Sequence, residues 1–234
     1  WINAGKIRNT GVEITLGATP LMNDDFRWKT QFNFATNKNK IVSLGGTPNF
    51  QYASGNVSMP YKMMVVEGGS LGDIYGNVFV RDESGKILLE PETDKDGKPN
   101  AKAGLPQVTT DKAAKIGNFN PDWTLGWSNT LTYKGFSLYF LIDTRVGGDA
   151  RNAGHYMLEG HKISDVQKFY QMVGDRGNGT TEFYRYDGTN IRLREVSLGY
   201  SFPQRMLEKT GFIKGVDLSL VARNLFFIYK DAPF

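Results

Sequence analysis

No cysteine occurs among the 234 residues, which excludes a disulfide scaffold, a thiolate metal site and a thiol nucleophile. Histidine is nearly as scarce. His155 and His161 are the 2 present, too far apart in a polar stretch to resemble a metal-ligand pair. No run of about 18 apolar residues exists, so no segment can cross a bilayer as a helix. Charge of one sign is not concentrated either: 28 Lys and Arg stand against 24 Asp and Glu, a net +4. The longest local excess, Asn37-Lys38-Asn39-Lys40, is too short for a nucleic-acid-binding stripe.

Other chemical motifs are incomplete. Glu92-Thr93-Asp94-Lys95-Asp96-Gly97 looks like half a calcium loop, but Ala103 stands where a bidentate Glu should follow. Gly174, Gly177 and Gly179 lead into neither a helix pattern nor the Lys-Ser/Thr of a phosphate loop. Asn56-Val57-Ser58 and Asn178-Gly179-Thr180 match glycosylation sequons, which are short enough to arise by chance. No acid/base constellation stands out, so the expectation is a non-enzyme without cofactor or metal. The chain opens at Trp1, with no initiator Met and no signal peptide ahead of it; we expect a piece of something longer.

What is present is alternation. Six runs place apolar residues at every second position, the period of a strand with two unlike faces. Val12, Ile14, Leu16 and Ala18 carry the first; Phe26, Trp28, Phe32 and Phe34 the second. Trp123, Leu125, Trp127, Leu131 and Tyr133 carry the third, and Phe136, Leu138, Phe140 and Ile142 the fourth. Val196, Leu198, Tyr200 and Phe202 form the fifth; Val216, Leu218, Leu220 and Ala222 the sixth. Strands are expected near 11–20, 26–37, 122–133, 136–146, 190–202 and 215–225. Each is about 9–12 residues long, enough for a tilted strand to cross the hydrocarbon core, whereas soluble strands average about 5–6.

The intervening positions hold Arg, Lys, Glu, Asp, Gln, Asn, Ser and Thr, which a dry core could not accept unpaired. Aromatic residues gather at run ends: Phe26 and Trp28, Tyr133 and Phe136, Tyr200 and Phe202. Rings there suit a girdle at a membrane interface. Short turns at 22–25, 134–135 and 203–214 alternate with long connections at 45–121 and 147–189, the asymmetry of outer-membrane barrels. Within the first long loop, Val78-Phe79-Val80 and Ile87-Leu88-Leu89 suggest a small hairpin, and 93–104 is expected to be mobile. In the second, residues 164–173 show weak helical spacing. The fifth run leaves two readings open. Asn190, Arg192 and Arg194 share phase with Val196, so the arginines reach headgroups or a bulge near Arg194-Glu195 shifts the phase. A sandwich with one solvated face would alternate too. A soluble, secreted β-rich carbohydrate-binding module is therefore the alternative.

The motifs share an order as well as a pattern. Asn9-Thr10-Gly11-Val12-Glu13-Ile14 resembles SusC/RagA-like TonB-linked outer-membrane proteins of the Bacteroidetes. So do Phe32-Asn33-Phe34 running into Asn37–Leu44, Gly117-Asn118-Phe119-Asn120-Pro121-Asp122-Trp123, Lys134-Gly135-Phe136-Ser137-Leu138 and Val146-Gly147-Gly148-Asp149. The strongest is Ile191-Arg192-Leu193-Arg194-Glu195-Val196-Ser197-Leu198-Gly199-Tyr200, followed by Ala222-Arg223-Asn224-Leu225-Phe226.

The resemblance implies an all-β fold, an antiparallel up-and-down transmembrane β-barrel segment. About six long strands of a barrel of about 22 would carry two long extracellular loops, and the plug domain and TonB box are absent. It further implies active, TonB-dependent import of glycan or peptide oligomers with a SusD-like surface lipoprotein over the mouth, and outer-membrane lipid around the wall. Tyr139, Asp143 and Arg145 on the wall, with Tyr75 and Tyr156 in the loops, are the expected substrate contacts. Tyr52, Tyr61, Phe79, Tyr170 and Tyr184 add loop aromatics that would equally well pack the loops together.

Overall fold

A computed structural model describes residues 5–54, 61–109, 114–151, 182, 185–208 and 211–232. Six long strands form one sheet in the order β1 (Lys6–Met22), β2 (Phe26–Ser43), β7 (Trp123–Tyr133), β8 (Phe136–Val146), β11 (Asn190–Ser201) and β12 (Asp217–Lys230). Every neighbouring pair is antiparallel, and spatial order follows chain order. This is an up-and-down wall. β1 and β12 are its two edges, so the barrel is only partly closed. Among the described residues no helix is long and apolar enough to cross a membrane; the one α-helical segment among them, α1 (Gln204–Leu207), lies in the β11–β12 connection.

The register explains why alternation in sequence becomes two coherent faces in space. Residues directly opposite in an antiparallel pair point to the same side. Phe26 pairs with Tyr133, Tyr133 with Phe136, Phe136 with Tyr200 and Tyr200 with Leu218, so one ring row crosses four strands at the short-turn end. Higher up, Ile14 pairs with Phe34 and Phe34 with Leu125, and Trp123 pairs with Val146 near the top. From Phe136 to Val146 the strand advances about 33 Å at ~3.3 Å per residue. Tilted by about 40°, that spans roughly 25 Å, the height of an outer-membrane apolar band.

Both indole N–H groups on this apolar face find acceptors, while the buried Asn129 Nδ2 has no partner among the described residues. The Trp28 indole N–H donates to Asn129 Oδ1 at 2.9 Å, and the Trp127 indole donates to Thr30 Oγ1 at 2.8 Å. Phe32 stacks on Trp127 at 5.6 Å and 4°. The face itself is bare of protein: Leu16 is 64% exposed, Leu198 54% and Leu220 73%. A water-soluble domain would bury such a surface, because exposing apolar area costs about 25 cal/mol per Å².

Turn chemistry sets the short end. Lys134 (φ 45°) and Gly135 (φ 88°) form a two-residue turn with both central residues left-handed, the geometry that matches strand twist. Asn23 closes the β1–β2 turn by accepting the Phe26 and Asp25 N–H groups on Oδ1 at 2.8 and 3.1 Å.

Several strands run further than alternation indicates. β1 and β2 extend to 17 and 18 residues, because their upper parts (Arg8 to Thr10, Asn37 to Lys40) are polar on both faces and carry no period-2 signal. β12 begins at Asp217 and reaches Lys230. The mixed phase of the fifth run is a bulge: register shifts between Leu193 and Glu195 in its pairing with both β8 and β12. Asn190 and Arg192 therefore face the polar side, opposite Arg145 and Asp143, while Ile191 and Leu193 face the apolar side.

The first long connection is not irregular. It forms a second antiparallel sheet, β3 (Phe50–Ser54), β4 (Tyr61–Val65), β5 (Asp73–Gly76) and β6 (Ala114–Asn118). Leu44 and Val65 bury Ile41 of β2 completely, on the side away from Phe34. The 78–89 hairpin is present, with Arg81 bridging Ile87 and Asp82 capping the turn through Ser84 and Lys86. Residues 93–104, expected to be mobile, are closed the same way. Thr93 bridges Pro99, and Asp94 Oδ1 accepts the N–H groups of Asp96 and Lys98 at 2.9 Å. In the second connection, β9 (Asp149–Arg151) pairs with β10 (Arg185–Asp187); the helical spacing at 164–173 lies outside the described residues.

Candidate functional site

The polar side of the wall centres on Asp143. Strand β8 sets Tyr139, Leu141, Asp143 and Arg145 on one face by simple period-2 geometry. Tyr139 lies opposite Thr130 and Ser197, Asp143 opposite Gly126 and Arg192, and Arg145 opposite Thr124 and Asn190. The bulge in β11 brings two guanidinium groups to one carboxylate. Asp143 Oδ2 accepts from Arg192 Nε at 3.1 Å, Arg192 Nη2 at 2.8 Å and Arg194 Nη1 at 3.0 Å. Regular pairing would have left Arg194 one step out of phase with this face.

A second ion pair, Arg223 Nε to Glu195 Oε2 at 3.0 Å, lies just past the bulge. Arg145 turns the other way, donating through Nη2 to the Phe119 carbonyl. Thr124, Asp143, Arg145, Asn190, Arg192 and Phe227 line a recess of ≈ 340 Å³. Two guanidiniums, Arg145 and Arg192, against one carboxylate make it a cationic, donor-rich surface. Arginine offers planar bidentate donors to carboxylates, so this recess presents hydrogen-bond donors to polar groups. Among the described residues no group of three His, Asp or Glu could hold a metal ion.

Of the five expected contact residues, Tyr139, Asp143 and Arg145 share this face. Tyr75 is on the other sheet, in β5 opposite Lys62 and Lys115; burial and the Asp73 carboxylate push its phenol above the usual tyrosine range, against Lys115. Tyr52 responds to the same burial and the same carboxylate. Asp73 itself is 1% exposed and anchors the loop sheet, meeting Lys115 Nζ and the Asn118 amide at 2.7 Å. Phe79 is buried beneath the Arg81 guanidinium, which forks onto Glu182 at 2.7 and 3.1 Å. Tyr156, Tyr170, Tyr184, His155 and His161 lie outside the described residues. Arg192, Arg194, Glu195 and Arg223 were not among the expected contacts. Their signal was the Arg-x-Arg-Glu break in an otherwise alternating run.

Above the recess, the loop bases lock to the strand ends. Gly147 is left-handed (φ +72°), and a Cβ there would strike the Asp122 carboxylate. Its N–H donates to Thr189 Oγ1 at 2.9 Å, and Asp122 N–H donates to the Val146 carbonyl at 2.8 Å. Asp149 accepts the Asn118 N–H at 2.7 Å, and a Cβ on Gly117 would overlap that carboxylate. The Gly-Gly-Asp and Gly-Asn-Phe-Asn-Pro-Asp motifs are therefore two halves of one joint.

No family model matches the chain. It is 29% identical to a TonB-dependent receptor of Formosa agariphila, over 99% of this chain and 25% of that protein. It is 23% identical to the TonB-dependent receptor SusC of Bacteroides thetaiotaomicron, over 97% of the chain and 24% of the receptor. Among solved structures, the RagAB peptide importer in its closed-closed state aligns with TM-score 0.65 at 20% identity, over 97% of this chain and 26% of that one. The RagAB peptide transporter aligns at 0.64 and 21%. These structural likenesses establish the barrel fold. The chain spans about a quarter of the length of the relatives it matches.

Proposed function

We propose that this SusC/RagA-like segment is part of the wall of an outer-membrane TonB-dependent transporter that imports glycan or peptide oligomers. The observation that carries the reading is the two-faced sheet. One side is bare, apolar and edged by a row of rings; the other carries the Asp143–Arg192–Arg194 network. The short turns lie on the periplasmic rim and the four-stranded loop sheet on the extracellular one, beside a SusD-like lipoprotein. TonB acts through a plug elsewhere in the whole protein, and this segment performs no covalent chemistry.

On this reading Tyr139, Asp143 and Arg145, with Arg192 beside them, face the import path. Tyr75 and Tyr156 belong to the extracellular mouth. The donor-rich wall suits hydroxyls and carboxylates of an oligomer moving past without tight capture. A soluble carbohydrate-binding module fits poorly, because a second layer would have to cover Leu16, Leu198 and Leu220, and the loop sheet packs from the opposite side.

The test is deletion of the complete parent gene, followed by growth and uptake on panels of oligosaccharides and peptides. Loss of uptake of one class, restored by the intact gene, is the expected result. Unchanged uptake across both panels, or a parent protein that is monomeric without detergent, would overturn the proposal.

A further inference from the structure

Above the apolar band, β1 and β2 carry an unbalanced charge on their lipid-side face. Val12 and Thr36 are opposite one another at the top of that face. The next same-side pairs up are Thr10 opposite Lys38 and Arg8 opposite Lys40. Cations placed directly opposite one another repel. All three are exposed, and none of them joins an ion pair among the described residues. Asp122 lines a recess of ≈ 290 Å³ together with Lys38 but pairs with neither lysine; its carboxylate lies against Gly147.

The loop sheet packs mainly on the other side, and only Lys38 lines a recess with the loop-base residues Ser70, Asn118 and Asn120. Asn39 accepts the Leu71 N–H at 2.7 Å and bonds to Asn9, and Ile41 is sealed under Leu44 and Val65. Those residues alternate with Lys38 and Lys40, so covering one side leaves the cations bare. Height then decides what they meet. Lys38 is two residues beyond Thr36 and Lys40 four, about 7 and 13 Å along the strand at ~3.3 Å per residue. With a tilt of about 40° they stand roughly 5 and 10 Å above the band. The headgroup layer adds about 5–7 Å on each side of the hydrocarbon, and long basic side chains can bend to reach it.

We propose that Arg8, Lys38 and Lys40 form a binding site for the phosphate groups of lipids in the leaflet on the long-loop side. This rests on the reading that the sheet spans the membrane. The opposed cations that destabilise the bare strand pair become favourable once an anionic headgroup lies between them. Near an anionic surface each cation is worth about five-fold in affinity, so removing all three should cost on the order of a hundred-fold.

The test uses the full-length parent transporter extracted in mild detergent, with native mass spectrometry reading retained lipid. The probes are bisphosphorylated lipid A, its dephosphorylated form and inorganic phosphate as competitor. The wild type should retain the bisphosphorylated lipid preferentially, and R8Q/K38Q/K40Q should lose that preference. Lys29→Gln, whose side chain is on the polar face opposite Thr130, should keep it. Equal retention of both lipids, retention unaffected by the triple substitution, or full displacement by millimolar phosphate alone would overturn the proposal. Heat-modifiable gel mobility is read on the same samples. If it is retained while lipid selectivity is absent, the lipid site fails and the barrel stands. If the wild type itself shows neither mobility shift nor membrane extraction, the spanning reading fails.

Discussion

Replacing Asp143 by Ala should expose how much the bulge in β11 contributes. The carboxylate accepts three hydrogen bonds, two from Arg192 and one from Arg194. Side-chain exposures of 30% for Asp143, 32% for Arg192 and 47% for Arg194 place both pairs between the exposed and buried limits. Exposed ion pairs contribute about 0.2–1 kcal/mol after solvent screening. The two-donor contact and lower exposure put Arg192 at the upper end, roughly 1 kcal/mol, or about five-fold in an equilibrium; Arg194 falls near 0.3 kcal/mol. The assay is a pair of double-mutant cycles, Asp143→Ala with Arg192→Gln and with Arg194→Gln. It reads urea-dependent unfolding of the complete barrel in lipid vesicles. Couplings should fall in molar salt, where the screening length is about 3 Å. A larger coupling for Arg194 than for Arg192, or none for either, would refute the geometry from which these magnitudes come.

Other perturbations test other joints of the structure. Deleting Arg194, the extra residue of the bulge, should make Leu193 and Glu195 consecutive opposite Ile142 and Leu141 and leave Arg192 facing Asp143, so the cost is the lost Arg194 contact, about 0.3 kcal/mol. Unchanged assembly of the parent barrel with a retained Asp143–Arg192 coupling checks it. Trp28→Phe should leave Asn129 Oδ1, buried at 1% exposure, without its indole donor, costing about 1–3 kcal/mol. The double change with Asn129→Leu should recover most of that in the same unfolding assay. Gly147→Ala combines a left-handed backbone with a clash against Asp122; a loss of about 1–2 kcal/mol and faster proteolysis of the long loops are expected.

Much of the wall was legible because a strand with unlike faces writes itself as period-2 alternation, and the antiparallel register keeps that parity from strand to strand. Tyr139, Asp143 and Arg145 could be placed on one face by counting alone. Their partner Arg192 could not, since a bulge changes parity without changing composition. The upper ends of β1 and β2 were hidden for a related reason: Asn37-Lys38-Asn39-Lys40 is polar on both faces, so no contrast remains. The loop sheet was the least visible part. Its strands are 4 or 5 residues long, and β5 pairs with β6 across the whole 78–109 excursion. Such contacts depend on distant residues such as Asp73 and Asn118, which no local window connects.

The two-faced wall is tested most directly by cysteine accessibility along β8 in the parent protein, favoured by a segment that has no native cysteine. Single cysteines at 138, 139, 140, 142, 143 and 145 would be challenged in intact outer membranes with a charged, membrane-impermeant maleimide. Labelling is the expected result at 139, 143 and 145, facing the aqueous path, with protection at 138, 140 and 142, facing lipid. Uniform labelling of all six, or the opposite parity, would contradict it.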